Sequence, residues 1–252
     1  MTRKWTNARI IAAALLPLSA LAAGCSTNAD PTTGVTSPHS SSNETTTSAR
    51  TTTTTSSPVA PESAELTLPA ELSSFTPSSP ESWSSMSTRQ LVNAARSNSG
   101  NMWKLLGTDL GTPVILPRTT SSGCLAEVGI DTEAVYCQNH IEYRDDLITD
   151  QRDAHGDLYP VLIIAHEMGH VLSAAAGTND GTPDDVAEQR ANCAAGAFLS
   201  TIPSVTAREA GLLFQQSSLA DAGQGSYTAF RDGFDLTRSG VNPTDKCTHY
   251  QD

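Results

Sequence analysis

His166, Glu167 and His170 stand in the run His166-Glu167-Met168-Gly169-His170, a spacing that carries chemistry if the segment is helical. At 3.6 residues per turn, positions four apart share a face. Both imidazoles can then offer a ring nitrogen to one metal ion at about 2.0 to 2.1 Å. The glutamate lies beside them, placed to take a proton from metal-activated water rather than to bind the metal. Val161-Leu162-Ile163-Ile164-Ala165 before the motif and Val171-Leu172 after it make the surrounding helix apolar on most sides, which marks it as buried. Two histidines and a glutamate inside such a helix are costly unless something pairs with them, and a zinc ion would do so. A pair of structural core histidines is the plainer alternative.

Zinc that keeps one position open for water needs a third protein donor. A third histidine six residues beyond the second is absent, because Ala176 stands there. The downstream carboxylates are Asp184, Asp185 and Glu188. Asp184 and Asp185 have another use, in capping a helix and meeting its dipole. Gly181-Thr182-Pro183-Asp184-Asp185 also resembles the third-ligand segment of aspartate-type zincins, which keeps Asp185 as runner-up. Glu188 opens the run Glu188-Gln189-Arg190-Ala191-Asn192-Cys193-Ala194-Ala195-Gly196, in which Glu188 and Asn192 fall on one helix face. A second helix crossing the first could bring Glu188 to the metal and Asn192 to the back of a ligand, so Glu188 is preferred.

Those donors need elements to hold them. Asp157 can cap a helix that tolerates Pro160 in its first turn, runs to about Ala175 and ends at Gly177. Thr182-Pro183-Asp184-Asp185 has the form of a capping box opening a second helix, which Pro203 terminates. Upstream, Trp103-Lys104-Leu105-Leu106 reads as helix, preceded by a helical segment around Ser87 to Arg96 with weak apolar spacing. Pro113-Val114-Ile115-Leu116-Pro117 reads as a short strand between prolines. Val135-Tyr136-Cys137 and Ile141-Glu142-Tyr143, separated by Gln138-Asn139-His140, read as a hairpin. Further helices around Ala207 to Leu219 and Tyr227 to Thr237 complete an α+β, mainly helical domain with a small β-sheet.

The ends of the chain suggest an address. Arg3, Lys4 and Arg9 precede an apolar run from Ile10 to Ala23, the layout of a secretory signal peptide. That run is shorter than the roughly 20 apolar residues of a comfortable bilayer span. Leu21-Ala22-Ala23-Gly24-Cys25 resembles the bacterial lipobox, with the leucine one residue earlier than in the commonest pattern. The resemblance implies cleavage before Cys25 and acylation of its thiol, with each buried methylene contributing about 0.8 kcal/mol to membrane anchoring. Residues 1–24 are thus expected to be a signal peptide and 25–80 a Ser/Thr/Pro-rich tether, with five threonines in a row from Thr51 to Thr55. Residues 81–252 remain as one domain. The net charge of −12, with no basic run, argues against nucleic acid as a partner. With Cys25 lipidated, Cys124, Cys137, Cys193 and Cys247 form an even set in an oxidising compartment, as two disulfides would require.

Taken in order, several pieces resemble the neutral zinc metallopeptidases of bacteria, a glutamate-ligand branch of the zincin fold, over most of residues 81–252. They are the Trp103 helix, the proline-flanked strand, Cys124, and the segment from Val135-Tyr136-Cys137 to Tyr143-Arg144-Asp145. The His166 to His170 helix, the Glu188 to Gly196 run, and Phe230-Arg231-Asp232-Gly233-Phe234 leading to Cys247 complete the series. The resemblance implies a zincin-like domain and a zinc peptidase with His166, His170 and Glu188 as ligands and Glu167 as base. Together with sequence proximity, it favours pairing Cys124 with Cys137 and Cys193 with Cys247. Two departures weaken the match: Asn192 stands where the family has aspartate, and no histidine lies between His170 and His249 to stabilise an oxyanion. Tyr227, Gln224 or His155 could donate instead. His39, His140 and His249 read as ordinary polar surface or loop residues. The expected function is zinc-dependent hydrolysis of peptides or proteins by a lipid-anchored protein on the outer face of the cell membrane. The alternative is a catalytically weakened relative acting as a binding or scaffold protein. No oligomeric state is indicated.

Overall fold

The computed structural model of the chain describes residues 67–78, 80–119, 123–129, 131–179, 181–221 and 225–251. The expected signal peptide, Cys25 as the expected lipidation site, His39, Gln224 and most of the expected tether lie outside them. The elements run in chain order as a 3-10 turn Ala70–Leu72, α1 (Pro80–Trp83), α2 (Thr88–Leu105), β1 (Val114–Pro117), α3 (Leu125–Val128), β2 (Ala134–Cys137) and β3 (His140–Tyr143). They continue with α4 (Asp145–His155), α5 (Leu158–Ala175), α6 (Asp184–Ser200), α7 (Ala207–Gln216), a 3-10 turn Ser218–Asp221, α8 (Ser226–Arg238) and α9 (Thr244–Thr248). The protein is therefore mainly helical with a small sheet, as its apolar periodicities require.

The centre of the packing is α5. Its apolar residues point in nearly every direction, and it is buried from Tyr159 through Met168 and again at Val171 and Leu172, with α2, α4, α6 and β2 packed around it. It is long and apolar enough to cross a membrane, but most of its surface is already covered by this domain. The two helical pieces expected before β1 form one continuous helix, α2. Ser87 accepts from Gln90 N and Gln90 returns a bond to the Ser87 N–H, closing a capping box. Leu91, Val92, Ala95, Ser99, Met102 and Trp103 then form its buried stripe. The polar Ser97-Asn98-Ser99 stretch hides that continuity because Ser99, though polar, faces inward.

Two expected caps take other work. Asp157 makes no cap bond; Arg152 Nε holds its carboxylate at 2.8 Å. The Thr182 hydroxyl donates to Thr178 O and accepts from Arg190 at 3.1 Å, so α6 begins without the capping box. The packed unit also starts earlier than residue 81. Leu72 is 1% exposed within the core, Phe75 packs against it, and Thr67 bridges Ser239. A short apolar cluster inside a Ser/Thr/Pro-rich stretch is enough to dock it.

The sheet has order β1-β3-β2, with β1 parallel and β2 antiparallel to β3. The expected hairpin is thus β2–β3, and β2 is an edge strand whose inner neighbour is α5. Disulfides join Cys124 to Cys137 and Cys193 to Cys247. His140 is not a loose surface residue: it opens β3 and its Nε2 lies 3.1 Å from the buried Glu142 carboxylate. His249 is half exposed beside Asp245.

Candidate metal centre

His166 and His170 occupy successive turns of α5, and Glu188 reaches them from the first turns of α6. What lets the two helices approach is Gly169, inside the motif itself. A Cβ there would sit 2.6 Å from Ala191 Cα, 2.8 Å from its carbonyl oxygen and 2.9 Å from Ala194 Cβ. Only a residue without a side chain permits that contact. The loop between the helices is pinned as well. Arg190, 3% exposed, donates to Thr178 O at 2.7 Å and to the Thr182 hydroxyl, while Asn179 Nδ2 donates to His170 O at 3.3 Å.

The three donors converge. His166 Nε2 lies 3.2 Å from His170 Nε2 and 3.1 Å from Glu188 Oε2, and His170 Nε2 lies 3.4 Å from Glu188 Oε1. A tetrahedron has an edge about 1.63 times its centre-to-vertex length, so donors bonded at about 2.0 to 2.1 Å sit about 3.3 to 3.4 Å apart. The separations found, 3.1 to 3.4 Å with one Glu188 oxygen facing each histidine, lie close to such an edge, and His166, His170 and Glu188 form a group that could hold a metal ion. Asp185, the runner-up, is exposed in the first turn of α6 and does not belong to that group.

Asn192 Oδ1 lies 2.8 Å from His166 Nδ1. A carbonyl oxygen accepts there only if Nδ1 carries the proton, which leaves Nε2, the atom facing the other donors, as the lone pair. Asn192 therefore orients the ring without supplying charge. Electrostatics bind the rest of the cluster. Burial opposes charge on His170, but the Glu188 carboxylate outweighs it and raises the imidazole from 6.5 to about 9. Burial likewise opposes charge on Glu188, yet His170 and His166 hold its carboxyl far below the ordinary 4.5. A single divalent cation would replace those protons as partner of all three.

Glu167 is 5% exposed, and its Oε2 finds no hydrogen-bond partner among the described residues. Burial pushes its carboxyl up, against the pull of both histidines and of the Tyr136 backbone N–H from β2. A buried carboxylate with a free oxygen beside three metal donors is what a proton-transfer group requires. Of the suggested oxyanion donors, Tyr227 turns its hydroxyl toward Gly211 and bonds Arg231, and His155 stacks on Tyr159 with ring centroids 5.4 Å apart.

Reasoning from sequence overlooked two contributors: Gly169 as the close-approach point and Tyr136 through its backbone. Only the first carried a signal, being a glycine inside an otherwise strong helix. Cys124, Cys137 and Glu142 also converge within ligand distance, but those cysteines are the disulfide pair and Glu142 accepts from Arg118 and Leu125 N. No protein-family model, curated protein or solved structure matches the chain.

Proposed function

We propose that this protein is a zinc-dependent peptidase of zincin type, with His166, His170 and Glu188 as metal ligands and Glu167 as general base. The observation that carries the reading is the convergence of three donors at 3.1 to 3.4 Å, close to a tetrahedral edge, beside a buried carboxylate with one free oxygen. Zinc is the ion this set suits, since two imidazoles and a carboxylate leave one of four positions open. When bound, it supplies Lewis acidity, lowering the pKa of water toward about 7 and polarising a carbonyl oxygen.

The chain's own residues do the remainder. Asn192 holds the His166 tautomer, and Arg190 and Gly169 hold α6 where Glu188 meets the histidines. Glu167 takes the proton of the attacking water at its free oxygen and passes it to the leaving amine. A peptide suits the surroundings because β2 is an edge strand beside α5, where an extended chain can add backbone hydrogen bonds. Residues 1–25 support placing the enzyme on the outer face of the membrane through acylated Cys25.

The test is hydrolysis of a peptide library by the purified chain with one equivalent of zinc, with and without chelator. Glu167→Gln should lower turnover by about 10²- to 10⁴-fold while zinc stays bound. Unimpaired cleavage by that variant would remove Glu167 from the mechanism. Elemental analysis of Glu188→Ala beside Asp185→Ala should show zinc lost only from the first. A second reading, a metal-holding binding or scaffold protein, draws support from the engagement of Tyr227 and His155 elsewhere. It predicts stoichiometric zinc without cleavage of any library member.

A further inference from the structure

Glu133 is a buried ionisable side chain that the reaction above leaves unused. It precedes β2, is 6% exposed, and accepts from the Tyr159 hydroxyl at 2.8 Å and from the Ser218 hydroxyl at 2.9 Å. Its carbonyl oxygen accepts from Arg144 N at 2.7 Å, just past the end of β3. One residue thus joins the start of β2, the side of α5 and the 3-10 turn after α7. Burial pushes its carboxyl up, with the two hydroxyls only partly offsetting the cost. Such a group is expensive to keep where an apolar residue would pack.

Its partner's position is informative. Tyr159 lies seven residues before His166 and eleven before His170, so at 100° per residue it falls within about 20° of both on α5. It is on the metal-donor face, about 10 Å toward the helix N-terminus. From Glu133 to Tyr136 the strand advances about 10 Å, and from Tyr159 to Glu167 the helix advances about 12 Å. The strand therefore runs alongside the helix with two ties at matching intervals. One is Glu133 on Tyr159, and the other is the Tyr136 N–H on the Glu167 carboxyl.

We propose that Glu133 is a positioning residue: by fastening the start of β2 to Tyr159 and Ser218, it sets where Tyr136 meets Glu167 and where the edge of β2 stands for an extended substrate. This rests on the peptidase reading for its catalytic consequence, but not for its structural one. A misplacement of order 1 Å at a reacting group can cost about 10²-fold in rate.

The experiment compares the zinc-loaded chain with Glu133→Ala, Glu133→Gln and Tyr159→Phe. Amide hydrogen exchange across β2, β3 and α5 is read together with kcat, KM and zinc stoichiometry. Glu133→Ala should speed exchange at Tyr136 by at least about tenfold relative to α5 and lower kcat by about 10- to 100-fold, with one zinc still bound. Glu133→Gln, whose carbonyl can still accept from Tyr159 and whose amide can donate to Ser218, should restore both to within about threefold. Exchange rising uniformly over β2, β3 and α5, or a Tyr136 amide as protected as in the parent, would overturn the proposal. If Glu133→Ala does not fold, Tyr159→Phe, which removes one bond and keeps the ring, gives the same readout. A parent chain that cleaves nothing sinks the peptidase reading, while the exchange data still decide the clamp.

Discussion

Gly169→Ala separates two physical effects of opposite sign. On helix propensity alone, alanine in a helix interior should stabilise the fold by about 0.5 to 1 kcal/mol. The structure predicts the reverse. The new methyl would lie 2.6 Å from Ala191 Cα and 2.9 Å from Ala194 Cβ, where carbon pairs ordinarily rest at about 3.5 to 4.0 Å. Relief requires α6 to retreat by about 1 Å, and the obstacle is backbone, which cannot swing aside as a side chain can. Overpacking of this kind costs about 1 to 3 kcal/mol, enough to exceed the propensity gain. The same retreat would lengthen the Glu188 donor separations of 3.1 and 3.4 Å by up to about 1 Å, several times the ±0.2 Å or so by which zinc–ligand bonds vary. Denaturant unfolding of the metal-free variant should show lower stability, and competition against a chromophoric chelator should show zinc affinity down by about 10- to 100-fold. A variant more stable than the parent that holds zinc equally well would refute the claim that Gly169 sets the distance between the helices.

Other expectations follow from the same contacts. Without metal, His170, raised from 6.5 to about 9, contributes stability that is complete below pH 6.5 and fades as pH rises through about 9. Glu188, depressed from 4.5, contributes stability present above pH 4.5 and lost as pH falls below it, so the metal-free fold should melt highest between about pH 4.5 and 6.5. Zinc requires His170 deprotonated, so its affinity should climb about tenfold per pH unit from pH 7 toward 9, and calorimetry in buffers of different ionisation heat should detect the released proton. Asn192→Asp places a carboxylate 2.8 Å from His166 Nδ1 and should tighten zinc by about tenfold or more in a chelator titration; unchanged affinity would show that the amide already suffices. Replacing Cys193 and Cys247 by alanine opens a 54-residue loop and should cost about 4 kcal/mol, against about 3 kcal/mol for the 13-residue loop of Cys124 and Cys137, as read from urea melts.

The donor pair on α5 was legible from sequence because helical geometry is local. Four residues of spacing put His166 and His170 on one face whatever surrounds them, and the apolar run around them announces burial. The hairpin, the proline-flanked strand and the later helices were legible for the same reason. What the sequence left open was everything that depends on one element meeting another. Asp185 and Glu188 were both chemically fit as the third donor, and the approach of α6 to Gly169 brings Glu188 to the histidines and leaves Asp185 in solvent. Thr182 and Asp157 have the types of caps, but Arg190 and Arg152, distant by 8 and 5 residues, offer them stronger partners. Glu133 has no distinguishing neighbour in the sequence; Tyr159 and Ser218, 26 and 85 residues away, close over it in the fold. Local spacing decides which face a residue takes on its own helix or strand; which faces touch is settled only when the whole chain packs its apolar surface against itself.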